Sequence, residues 1–123
     1  MKAEEFELRI PIGVIEYGAL RDRYAKTSDE AVKAYSKTRD WCIHKQRPEE
    51  GQQWVVAFKA NGMSVPRHCP SRALAAANEL VCQKAYDDAG RPPFGKFPNG
   101  ITNAFRALGA QILSAWKHPK AAK

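Results

Sequence analysis

The segment Gln53-Trp54-Val55-Val56-Ala57-Phe58-Lys59, followed at once by Asn61-Gly62, is the strongest architectural constraint in this 123-residue chain. Aromatic and β-branched side chains fit a pleated, half-buried surface. Asn and Gly both tolerate the positive φ that a tight hairpin turn requires. The pattern predicts a strand, a turn, and a return strand from Met63 to His68. Pro66 cannot donate to a ladder, which places that return strand at a sheet edge. Trp54, Val56 and Phe58 share one face at period two, so a single register buries all three.

The same period appears at Phe6, Leu8, Ile10 and Ile12, with Glu7, Arg9 and Pro11 on the other face. This reads as a half-buried strand, again with an edge-compatible proline. Residues 13–18 hold two glycines and read as a turn, and 19–26 as a weaker second strand. Thr27-Ser28-Asp29-Glu30 has the capping and acidic residues of a helix start. A helix from there to near His44 would turn Ala31, Ala34, Tyr35, Thr38, Trp41 and Cys42 inward. Pro70-Ser71 opens another helix, running to about Asp88 and stopped by Gly90. Its expected inner face is Ala73, Leu74, Ala77, Leu80, Val81 and Ala85, with Arg72, Glu79, Gln83 and Tyr86 outward. A last helix over 101–117 carries the stripe Ile101, Ala104, Phe105, Leu108, Ile112, Ala115 and Trp116.

The fold class is therefore α+β: a small antiparallel sheet covered by about three helices near 28–44, 70–88 and 101–117. Two ββα units are the alternative arrangement, because 6–43 and 53–88 each read strand, strand, helix. The expected core is Phe6, Leu8, Ile10, Ile12, Ala34, Trp41, Trp54, Val56, Phe58, Leu74, Ala77, Val81, Phe105, Leu108, Ile112 and Trp116.

Length and a 44% hydrophobic content fit one domain over 1–123 with a real core. No apolar run approaches the roughly 18–20 residues of a membrane span. The acidic start, Met1-Lys2-Ala3-Glu4-Glu5, lacks the basic and apolar regions of a secretory signal. Three cysteines are an odd set for a disulfide framework, and the expected location is a reducing cytoplasm.

Catalytic patterns are sparse. Cys42, His44, His68 and Cys69 could ligate a metal, yet their spacings do not let two side chains converge from one turn as zinc sites require. His68 beside Cys69 suggests a thiol–imidazole pair, but such pairs are made by folds and not by adjacency. Neither phosphate-loop nor dinucleotide glycine motif occurs. The expectation is a non-enzyme with no metal and no cofactor.

Charge carries the functional reading. Residues 1–50 hold ten Lys/Arg and ten Asp/Glu, whereas 51–123 hold ten Lys/Arg against only Glu79, Asp87 and Asp88. The whole excess of +7 belongs to the second part, which divides into a basic half, 51–117, and a frayed basic tail, 118–123. Such asymmetry favours a polyanion or an acidic surface as partner. Lys59, Arg67 and Arg72 flank the hairpin and the helix that follows it. Arg91, Phe94, Lys96 and Phe97 interleave cations and rings on a Pro/Gly-rich loop, a mixture suited to a single strand. With Lys84, these eight residues are the expected contact set.

The hairpin Trp54-Val-Val-Ala-Phe, Asn61-Gly62 and the Ala-rich helix Arg72–Tyr86 resemble part of the AP2-type DNA-binding domain. They are also similar in order to the last elements of a double-stranded-RNA-binding domain, although Ser71-Arg72-Ala73 stands where that domain has a Lys-Lys pair. Each likeness spans about 35 residues, and the helix expected over 28–43 departs from the AP2-type layout of three strands before the helix. In size and in lacking catalytic motifs, the chain is also similar to small phage and mobile-element inhibitors of the anti-CRISPR type. The expected function is nucleic-acid binding (DNA or RNA) in an accessory or regulatory role. The alternative is a protein-binding inhibitor or adaptor covering an acidic or nucleoprotein host surface. Either would act away from membranes, as a monomer or homodimer.

Overall fold

The computed structural model of the chain describes residues 3–16, 23–46, 48, 51–96 and 100–119. Five strands, β1 (Glu4–Glu16), β2 (Arg23–Ser36), β3 (Trp41–Lys45), β4 (Trp54–Phe58) and β5 (Ser64–Cys69), form one antiparallel sheet in the order β1-β2-β3-β4-β5. α1 (Arg72–Asp88) follows, then a two-stranded ribbon of β6 (Gly95–Lys96) and β7 (Gly100–Ile101), then α2 (Asn103–Ala115). The fold is α+β, with two helices among the described residues. A single sheet runs through both the neutral and the basic halves, so the two-unit ββα arrangement does not hold.

The largest correction lies at 28–44. No helix forms there: the segment is the end of β2, a turn at 37–40, and β3. Ala31 and Ala34 are good helix formers, but tertiary pairing overrides such preferences. Val32 and Ala34 face the smaller cluster and Tyr35 the main core, a period of two that Ser36 leaves by turning its hydroxyl to Glu79 of α1. Trp41, Cys42, Ile43 and His44 are all buried because β3 is covered on both faces. A fully buried strand shows no alternation and reads like a helix segment. Residues 13–16, expected as turn, continue β1; 17 and 18 lie outside the described residues.

Trp41, Ile43, Val56, Phe58, Val65 and Cys69 of the sheet pack against Ala75, Cys82 and Tyr86 of α1 and Leu108, Ile112 and Trp116 beyond them. Burying one large side chain of this kind contributes about 2–3 kcal/mol. Trp41 anchors this core, with ring centroids of Phe58 at 5.1 Å and Tyr86 at 6.1 Å. A smaller cluster on the other face joins Leu8, Ala34, Cys42 and Ala57, flanked by Phe6, Ile10 and Val32. Of the expected core, Ile12's side chain is outside what is described, and Phe6, Ile10, Trp54, Leu74, Ala77, Val81 and Phe105 are half-buried.

β1 and β2 pair from Glu4↔Ser36 to Glu16↔Arg23, with a register shift at Ile12/Gly13. β2 meets β3 only at Ala34↔His44 and Tyr35↔Ile43. The first hairpin is thus a long arm that bends over the sheet face away from the helices. Its course is fixed where β1 crosses the β4–β5 turn at Gly62, which has φ +74°. A Cβ at Gly62 would stand 2.2 Å from Arg9 O and 2.9 Å from Ile10 Cα, so only glycine admits the crossing. The two edge strands are β1 and β5, and they carry Pro11 and Pro66 as expected.

Candidate nucleic-acid interface

α1 does not present the face its apolar residues predict. Ala75, Asn78, Glu79, Cys82 and Tyr86 are buried, whereas Leu80 is 56% exposed. The rotation is set by three polar side chains that hold other parts of the fold. Glu79, 1% exposed, accepts at Oε2 from Lys37 N (2.9 Å) and Thr38 Oγ1 (2.6 Å), closing the turn between β2 and β3. Gln83 accepts from Asp40 N (2.8 Å) and donates to Asp40 Oδ2 (2.9 Å) at the same turn. Asn78, fully buried, donates to Lys117 O (2.8 Å) and accepts from Lys117 N (2.7 Å). Satisfying buried polar atoms outweighs burying Leu80, because an unmade buried hydrogen bond costs about 1–3 kcal/mol.

The Asn78 clamp also reaches the end of β5. The same Nδ2 lies 3.7 Å from Cys69 Sγ at the end of β5. The Lys117 main chain is therefore tied to α1 at Asn78; Arg67 precedes Cys69 by two residues, and Arg72 opens α1. Arg67, Arg72 and Lys117 are exposed. No carboxylate among the described residues comes within ion-pair distance of any of the three. The Arg72 guanidinium sits 4.0 Å over the Tyr35 ring and 5.6 Å from that of Trp54, and these two rings are 6.1 Å apart. An exposed cation over half-buried rings is held in place by the attraction of the ring faces.

The three acids of the basic half are engaged elsewhere. Glu79 is the turn anchor. Asp88 pairs with Lys84 at 2.6 Å within the last turns of α1, and Asp87 with Arg91, just beyond its end, at 2.8 Å. The hydrogen bond from Arg91 holds the Asp87 carboxyl below the usual carboxylate range. Lys84 is likewise pushed up by its bond to Asp88. Both expected contacts thus pair with a carboxylate four residues away while staying exposed.

Lys59 lies apart from Arg72. Its Nζ donates to Thr38 O at 2.9 Å and lies 5.5 Å over the Phe6 ring. It follows β4 at the end away from Trp54, roughly 16 Å along the strand. Phe94 packs edge-on against Phe105 at 5.0 Å, and its carbonyl accepts from Thr102 N at 2.8 Å, so it braces the loop. The side chain of Lys96 and the whole of Phe97 lie outside the described residues. Of the eight expected residues, Arg72 lies over the Tyr35 and Trp54 rings and Arg67 is exposed on β5; exposed Lys117 was not among them. The Asn78-Glu79 pair inside the run Ala75-Ala76-Ala77-Asn78-Glu79-Leu80 was the available signal for the clamp.

The remaining chemistry-bearing residues are dispersed. Cys42 belongs to the smaller cluster and Cys69 to the main core, while exposed His68 lies 3.1 Å from Gln46 Nε2. Burial pushes the Cys42 thiol up to about 12 and also raises those of Cys69 and Cys82. Among the described residues no three His, Cys, Asp or Glu side chains gather as a metal site would need. No helix among them is long and apolar enough to cross a membrane. No protein-family model, curated protein or solved structure matches this chain.

Proposed function

We propose that the chain is a non-enzymatic nucleic-acid-binding protein with an accessory or regulatory role, acting in the cytoplasm. Arg67, Arg72 and Lys117 make the phosphate contacts, and the basic residues after 118 add to them. The observation that carries this reading is the +7 charge of residues 51–123, with Arg67, Arg72 and Lys117 all exposed and without an ion-pair partner among the described residues. Phosphates are drawn to such cations by charge and by release of their counterions. Tyr35 and Trp54 beneath Arg72 favour a single strand, whose bases stack on rings and on guanidinium planes.

The test is binding of nucleic-acid-free protein to labelled single- and double-stranded DNA and RNA across a salt series. The variant for comparison is Arg67→Glu/Arg72→Glu/Lys117→Glu, whose side chains are all exposed. We expect single strands to bind best. Three lost contacts should flatten the salt dependence by about 2 units of slope. Equal binding by a folded variant removes these three residues from the site. No binding by the parent at about 0.15 M salt overturns the nucleic-acid reading and leaves the three cations as a dock for an acidic protein.

A further inference from the structure

A pocket of about 650 Å³ opens between the first half of α1 and the Glu5–Tyr35 end of the β1–β2 arm. Tyr35, Ala73 and Ala76 give it apolar wall, and Lys37, Arg72 and Glu79 give it charge. Glu5, also on its wall, is paired with Lys33 at 4.0 Å. The volume is that of a small-molecule site.

Glu79 turns its two oxygens to different tasks. Oε2 takes the donors of the β2–β3 turn: Lys37 N at 2.9 Å, Thr38 Oγ1 at 2.6 Å and Ser36 Oγ at 3.4 Å. Oε1 accepts no hydrogen bond from the described residues. Unlike Trp41 Nε1, which is sealed without a partner, Oε1 keeps an opening to solvent, although Glu79 as a whole is 1% exposed. That opening falls on a residue of the pocket wall. A carboxylate oxygen so nearly buried calls for an N–H donor, because buried charge is costly until it is hydrogen-bonded.

Arg72 sets the other end. It stands seven residues before Glu79 on α1, which puts both on one side of the helix and about 10 Å apart along its axis. Its guanidinium is exposed over the Tyr35 ring, with no carboxylate in reach among the described residues. A ligand that satisfies both ends carries an N–H donor and an anion at opposite ends of a body of that length. An α-amino acid bears both charges on one carbon and is too short. A nucleotide places the exocyclic amine of its base and its phosphate at opposite ends, with ring and sugar between.

We infer that this pocket takes one nucleotide of a bound single strand, with an amino-bearing base such as cytosine donating to Glu79 Oε1 and the phosphate held by Arg72. The inference rests on the nucleic-acid reading and extends it from charge to base identity. Uracil presents a carbonyl where cytosine has its amine, so it sets one acceptor against another.

The experiment compares oligocytidylate and oligouridylate of equal length, at neutral pH and one low salt concentration. The parent protein should favour the cytidine oligomer about tenfold. Arg72→Gln should weaken both alike, because both carry the phosphate. Glu79→Gln should reverse the order. Its carbonyl oxygen stays with the Lys37 amide in the place of Oε2, so its N–H₂ replaces Oε1 and the pocket turns from acceptor to donor. Equal binding of the two oligomers by the parent overturns the inference and leaves the nucleic-acid reading standing. A folded Glu79→Gln that still favours cytidine does the same. Binding of neither oligomer overturns both.

Discussion

Asn78 and Lys117 exchange two hydrogen bonds, side-chain amide to main chain, much as two strand residues would. This is a polar weld between α1 and the end of α2, made by a side chain with no exposure to water. Asn78→Ala removes both bonds and leaves the Lys117 amide and carbonyl without their partner. Unfolding in urea should show a loss of about 2–4 kcal/mol. Limited proteolysis should reach the segment after Trp116 more readily than in the parent protein.

Glu79 makes a matching test at the turn between β2 and β3. Glu79→Ala strands the Lys37 amide and the Thr38 hydroxyl and opens a cavity, so the expected loss is about 3 kcal/mol. Glu79→Gln keeps the volume and one acceptor oxygen, and should lose less. Chemical denaturation of the two variants side by side measures the difference, and equal losses would show that charge and not hydrogen bonding holds the turn.

Gly62 should tolerate no side chain. Its positive φ and the 2.2 Å approach of a Cβ to Arg9 O act together in Gly62→Ala. The substitution must push the β1–β2 arm off the β4–β5 turn. The arm is otherwise held by two residue pairs with β3 and by packing of Leu8 and Ala34 on Cys42 and Ala57. The expected result is a stability loss of more than about 2 kcal/mol, with faster amide exchange confined first to β1 and β2. Gly90→Ala, where a Cβ meets nothing within 4 Å, serves as the control for positive φ alone.

The thiols define an alkaline limit. Cys42 titrates near 9.0 when unfolded and only at about 12 when buried. The folded state therefore holds its proton where the unfolded state gives it up. Stability from this group is whole below about 9, and falls as pH rises from there towards 12. Cys69 and Cys82 shift in the same direction and add to the loss. Melting temperatures measured from pH 8 upward should decline over that window, and Cys42→Ala should soften the decline. At pH 8 a thiol reagent should label the native chain far more slowly than the denatured one, since buried neutral thiols are poor nucleophiles.

Sequence periodicity located most elements whose two faces differ in environment. Strands at Phe6–Ile10 and Trp54–Phe58, the hairpin at Asn61-Gly62, and the start of α1 at Ser71 follow from local rules. The region 28–44 does not, because β3 is covered on both faces and loses the alternation that marks a strand. The inner face of α1 was misplaced for a related reason. Hydrophobicity points to Leu80, whereas the fold needs Asn78 and Glu79 inside for their hydrogen bonds. For the candidate interface, the sequence offers Arg67 and Arg72 near each other in the chain, but not the Arg72 seat on Tyr35 and Trp54 nor the Asn78–Lys117 bonds, which only the fold makes. Lys84 and Arg91 look like free cations in sequence and are paired with carboxylates four residues away on α1.

Every pair of neighbouring strands in the sheet is also consecutive along the chain. No long loop must close before a pairing is rewarded, and that places the molecule among proteins of short sequence separation between contacts, which fold fast for their β content. Assembly can proceed hairpin by hairpin as the chain leaves the ribosome. The late event is then the docking of α2, completed when the last ordered residues reach Asn78. A chain released before Lys117 emerges would carry a formed sheet and an unfinished core, its last helix not yet fastened to α1.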